Sequence, residues 1–182
     1  QAEDGIRDRS PSRGLGDVYK RQDIESAQKV LSENLKPFQA FISKTFKGEF
    51  ANSTPEKPVY DISRWERALN GNAIRIMHSV NNGEYGGESI VMWDTKKESL
   101  VSWYFTTAGF YTQATLHFED EKLISIEDVT GNENGITQVK AIIEFLPDGE
   151  LLNSSKYFMN GSWVDGHKIH YMEAPDAKVV FK

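Results

Sequence analysis

The chain has 182 residues, with 21 Lys/Arg against 27 Asp/Glu, a net charge of −6 and no cysteine. An acidic chain without a basic cluster argues against nucleic acid, whose binding rests on neutralising phosphates. Without cysteine there is no disulfide, thiolate nucleophile or Cys-ligated metal, and no apolar run approaches the roughly 20 residues of a membrane helix.

Residues 1–22, QAEDGIRDRSPSRGLGDVYKRQ, read better as translated DNA than as protein. Residues 1–8 and 12–22 back-translate into strings that resemble sequencing-library adapters, the second a transposase end. Residues 9–11 fill the place of the sample index between them. We therefore expect an artefactual, disordered tail outside the fold. On this reading the natural start lies upstream, so the compartment stays open between exported, periplasmic and cytoplasmic. Residues 23–182 suit a single domain.

Ile24, Ala27, Val30, Leu31, Leu35 and Phe38 recur at steps of three and four, which predicts a helix over residues 23–41. Pro37 ends it or starts a second short one. The period then becomes alternating. Residues 45–51 read as a strand with Phe46 and Phe50 on one side, and residues 52–58 as a loop. Residues 59–69 alternate imperfectly, Asn70-Gly71 signals a hairpin, and residues 73–80 place Ile74, Ile76, His78 and Val80 on one face.

After the turn at Asn82-Gly83, residues 85–120 read as three antiparallel strands. A two-residue tip at Ala108-Gly109 would set Phe105 opposite Thr112, Trp103 opposite Ala114 and Val101 opposite Leu116. One face of that hairpin is then apolar and the other hydroxylic, which predicts Trp103 and Phe105 inside. Strands follow at 122–129, 137–146, 151–159 and 168–172. Polar loops separate them at 130–135, Pro147-Asp148-Gly149, Asn160-Gly161 and Asp165-Gly166. Val139, Ala141, Ile143 and Phe145 should face inward. No connection is long enough for a crossover helix, so the sheet should be antiparallel and closed on itself.

The segments TFKGEF, RWERALNGNAIR, YGGESIVMWD and SWYFTTAGFYT resemble a family of bacterial calycin-like domains of unknown function. The adapter-like tail points to a metagenomic source. The opening strand departs from the lipocalin Gly-x-Trp pattern, because no Trp follows Gly48. The resemblance implies an all-β fold, an antiparallel up-and-down calycin-like β-barrel with an N-terminal helix. It carries over no catalytic residue.

The chemistry-bearing residues are sparse. His167 and His170 stand three apart on a strand and so face opposite sides, which argues against a shared metal. There is no Gly-x-Ser-x-Gly elbow, and adjacent Glu127 and Asp128 make no acid–base pair by themselves. An inward Arg64, Arg67 or Arg75 would need Glu49, Glu66 or Glu88 as partner, or would grip a ligand carboxylate. The expected function is non-catalytic binding of a small, largely apolar ligand inside the barrel, lined by Trp65, Trp103 and Phe105, with Arg75, His78 or Tyr157 orienting its polar end. Neither a cofactor nor a metal is expected. One alternative is an isomerase or hydrolase on the same barrel with His78 as general base. The other is a filled barrel using Tyr104, Thr106 and Tyr111 as an outer contact surface.

Overall fold

The computed structural model describes residues 30–129 and 135–182. The adapter-like tail, the first turns of the expected helix (residues 23–29) and most of the 130–135 loop lie outside the described residues. Leu31–Lys182 forms one unit. Its strands are β1 (Thr45–Phe50), β2 (Tyr60–Ala68), β3 (Ala73–Val80), β4 (Tyr85–Asp94) and β5 (Ser99–Thr106). They continue as β6 (Tyr111–Glu119), β7 (Lys122–Asp128), β8 (Ile136–Phe145), β9 (Leu151–Met159) and β10 (Ser162–Glu173). Each pairs antiparallel with the next, and β10 pairs with β1, so the described strands form a closed up-and-down barrel. Closure leaves no free sheet edge.

The helix is shorter and tighter than its sequence period implies. It is a 3-10 helix over Glu33–Phe41, with Pro37 inside it. Proline removes a backbone donor and collides with the carbonyl four residues back, which favours i→i+3 bonding. At three residues per turn, Leu35, Phe38 and Phe41 stack on one face, and all three are buried. They pack with Leu31, Phe46, Trp65 and Phe145 and plug one end of the barrel. Val30 belongs to the expected stripe but is 55% exposed.

The barrel wall corrects the central hairpin by one residue. The observed pairs are Leu100↔Leu116, Ser102↔Ala114, Trp103↔Gln113, Tyr104↔Thr112 and Phe105↔Tyr111. The tip holds three residues, Thr107, Ala108 and Gly109, because Gly109 takes φ +84° and the Thr106 N–H bonds the Phe110 carbonyl at 3.0 Å. A left-handed glycine closing a three-residue loop is a common hairpin form. Leu100 belongs to the core, so by alternation Ser102 and Tyr104 point inward while Trp103 and Phe105 point outward. Phe105 is 49% exposed and packs on Tyr111.

Asp165-Gly166 is likewise no turn. β10 runs through it, and the register with β9 shifts between Asp165 and Lys168. This is a β-bulge, which re-aims a side chain without ending the strand. The β8 expectation holds: Ile143 and Phe145 pack on the core, and Val139 and Ala141 share their face. Beyond β10 the chain returns along the wall, where the Val180 N–H bonds Ser79 Oγ at 3.0 Å.

Truncating Phe38 to Ala should remove about 3–5 kcal/mol of stability, because the plug side chain is fully buried. Val30→Ala should cost no more than about 0.5 kcal/mol. Urea midpoints of the two variants check the plug, and equal losses would contradict it.

Candidate functional site

A chain of polar side chains crosses the barrel interior away from the plug. It begins at Asp61, which shares its face of β2 with Trp65 and is 1% exposed. An ionised carboxylate at such a depth is costly unless its oxygens are filled. Tyr171 OH donates to Oδ2 at 2.8 Å, and His78 Nδ1–H donates to Oδ1 at 2.8 Å. His78 Nε2 lies 2.7 Å from Tyr104 OH, which lies 3.1 Å from Tyr85 OH. The result is one connected path, Tyr171–Asp61–His78–Tyr104–Tyr85, contributed by β10, β2, β3, β5 and β4.

Glycines make room for the rings. Gly48 pairs with Asp61 on one side and with Tyr171 on the other. A Cβ at Gly48 would lie 2.6 Å from the Tyr171 ring. Its absence lets Tyr171 reach across β1 to the Asp61 carboxylate. A Cβ at Gly87 would lie 2.4 Å from the Tyr104 ring in the same way.

Proton positions follow from the partners. A carboxylate only accepts, so His78 carries its proton on Nδ1. In the neutral imidazole Nε2 is then bare and accepts from Tyr104 OH. In the imidazolium Nε2–H donates to the Tyr104 oxygen, and Tyr104 donates onward to Tyr85. The path therefore reverses direction when His78 gains a proton. Burial, helped by Tyr85, holds the Tyr104 hydroxyl well above the usual tyrosine range, so Tyr104 stays protonated. Burial and then Asp61 do the same for Tyr171.

A second cluster sits on the β10 bulge. His167 Nδ1 lies 2.9 Å from Tyr157 OH and 3.0 Å from Ser155 Oγ, and its backbone N–H donates to the same Oγ at 2.9 Å. Burial pushes the imidazole below its ordinary value, with His78 adding to the effect and Asp61 opposing it. Glu127 on β7 accepts from Thr112, and burial raises its carboxyl above the usual range. His167 thus belongs to the same interior as His78 and Asp61.

Of the expected site residues, His78 and Tyr157 point into the interior and stand in these two clusters. Trp65 also points inward but lies within the plug, its ring tilted against Phe38 and Phe41, with its Nε1 buried and unpaired. Trp103 and Phe105 lie on the outer face of the wall. Arg75 does too: it pairs with Glu88 at 2.6 Å and reaches Glu66 at 3.8 Å. Arg64 bonds Glu66 and Thr45 Oγ1, so Glu66 and Glu88, of the three proposed partners, serve the arginines. His170 turns away from His167 and meets Glu150. Tyr104 belongs to the interior rather than to an outer surface.

Asp61, Tyr85, Tyr104, Tyr171, Ser155, His167 and Glu127 carry the interior network without having been picked out as its members. A signal existed on β2. Asp61, Ser63 and Trp65 share one parity, so the imperfect alternation was a polar inward face continuing an apolar one. A separate cleft of about 370 Å³ opens at the plugged end, between Asn34 and Pro37 of the helix and Trp93, Leu100, Leu116 and Phe118 of the wall. It includes no member of the polar path.

His167 makes stability depend on pH in a defined direction. Its folded value is lowered, so between that value and the ordinary imidazole value near 6.5 the unfolded chain binds more protons. The contribution is complete above that window and is lost as pH falls through it. The drop in urea midpoint from about pH 7.5 to about pH 5.5 should therefore be smaller in His167→Gln than in the parent. An equal drop would contradict a desolvated His167.

No family model and no curated protein matches this chain.

Proposed function

We propose that the chain is a small-molecule-binding barrel of the calycin-like type, with its ligand held inside the wall. The ligand's apolar part rests on the plug, and its polar end meets the His78–Tyr104 and His167–Tyr157 groups. The observation that carries this reading is the division of the interior. Phe46, Trp65, Ile74, Val91, Leu100, Leu116 and Leu123 form an apolar floor. Ser89, Ser102, Ala114, Ser125 and Ala141 line the middle with small side chains.

Strand number supports the same reading. Eight strands give an interior just wide enough to pack solid or to hold one small ligand, and width grows with strand number. The described strands of this barrel number ten. Ala114, Ser125 and Ala141 point inside and yet stay partly exposed, as they would beside open space. Polar groups converging over an apolar floor are the usual make-up of a ligand site. The ligand expected is amphipathic rather than wholly apolar.

The Asp61–His78–Tyr104 alignment favours a second reading, an enzyme on the same site. Both ring nitrogens of His78 are engaged, and Tyr104 is held protonated. The group offered to a substrate would then be the Tyr104 hydroxyl, free to donate when His78 supplies its own Nε2–H to the Tyr104 oxygen and the substrate takes the place of Tyr85. That differs from His78 acting directly as base.

A neutral fluorescent probe, N-phenyl-1-naphthylamine, tests the binding reading. It should bind saturably at one site, and Ala141→Trp, which fills the interior, should abolish the signal while circular dichroism stays unchanged. Binding that survives Ala141→Trp but is lost in Phe118→Ala would place the probe in the plug-end cleft and overturn the reading.

A further inference from the structure

The charged side chains facing the unplugged half of the interior set what it can accept. Asp61 faces inward there, and so does Glu127, which pairs in register with inward-facing Ala114. Among the described residues, the lysines and arginines of the same half stand on the outward parity of their strands. Lys156, for example, pairs with Asp165 outside. Arg67 lies at the plug end of β2, paired in register with Ile74.

The two carboxylates differ in what remains free. Asp61 has one donor on each oxygen, from Tyr171 and His78. Glu127 accepts from Thr112, and one bond leaves most of a carboxylate's roughly four acceptor positions unused. Nearer the floor, Asn153 faces inward from β9 beside Ile143, and its Oδ1 is buried without a hydrogen-bond partner. A buried acceptor without a donor is costly, and a donor on the ligand's path would relieve it.

We propose that the interior selects a ligand whose polar end donates hydrogen bonds, and above all an amphiphilic amine, while carboxylates and other anions are rejected. The ammonium meets Glu127, whose acceptor positions are mostly open. The alkyl part lies on the apolar floor. An anion would enter against two carboxylates in a partly desolvated space, where like charges repel far more strongly than in water. The proposal rests on the interior-binding reading and adds the charge of the ligand to it.

Isothermal titration of the full chain with n-decylamine, 1-decanol and decanoate tests it at about pH 8, set well above the ordinary Glu value to allow for the upward shift that burial gives Glu127. The amine should bind at least about tenfold more tightly than decanoate, with decanol between them. Glu127→Gln should reduce the preference of amine over decanol to about threefold or less while decanol binding persists, which also reports that the variant is folded. Decanoate binding as tightly as the amine overturns the charge proposal and leaves the interior site standing. So does an amine preference unchanged in Glu127→Gln. Failure of all three compounds to bind overturns the proposal together with the binding reading.

Discussion

The carboxylate of Asp61 is the constraint around which the interior is arranged. A buried ion is tolerated only where its lone pairs are filled, and two donors from different strands fill them. Tyr171 reaches it from β10 because Gly48, on the strand between, has no side chain to obstruct the ring. His78 reaches it from β3 and is thereby fixed in orientation and in the site of its proton. Tyr104 and Tyr85 then follow from the nitrogen that His78 leaves facing inward. Removing the carboxylate would orphan a buried hydroxyl and a ring N–H at once, each at a cost of about 1–3 kcal/mol.

The barrel therefore has two chemically distinct halves. At the plugged end, aromatic rings of the 3-10 helix and β1, β2 and β8 close the interior by burial. Toward the other end, inward positions turn to serine, threonine, tyrosine, histidine and carboxylate. The apolar face of the central hairpin is consequently turned outward at this level. Val101, Trp103 and Phe105 stand on the outer wall because Ser102 and Tyr104 supply the inside. Equating apolar with buried is sound for a packed core, but it inverts for a barrel whose lumen is polar.

That inversion explains what was legible in the sequence. The strands, the antiparallel order, the closure and the turns at Asn70-Gly71, Asn82-Gly83 and Asn160-Gly161 follow from alternation and from residues that tolerate positive φ. His78 was legible as an inward residue because Ile74 and Ile76 precede it at the same parity. The hairpin register was not, because a glycine closes a two-residue and a three-residue loop equally well. The inward turn of His167 depends on a bulge, and Gly166 in sequence reads as a turn. The helix over 33–41 was legible as a stripe, but the 3-10 form shows only in the spacing of Leu35, Phe38 and Phe41 and in Pro37. Asp61 was obscured by the expectation that a charged residue on a strand faces solvent.

The central claim is that Asp61 sets the proton on His78 and so fixes the polar end of the proposed ligand site. Side-chain nitrogen NMR of the His78 ring tests it most directly, with and without N-phenyl-1-naphthylamine. The account predicts that Nδ1 carries the proton of the neutral ring, and that the Nε2 resonance moves when the probe enters. A ring carrying its proton on Nε2 with Nδ1 bare, or an Nε2 signal indifferent to bound probe, would contradict it.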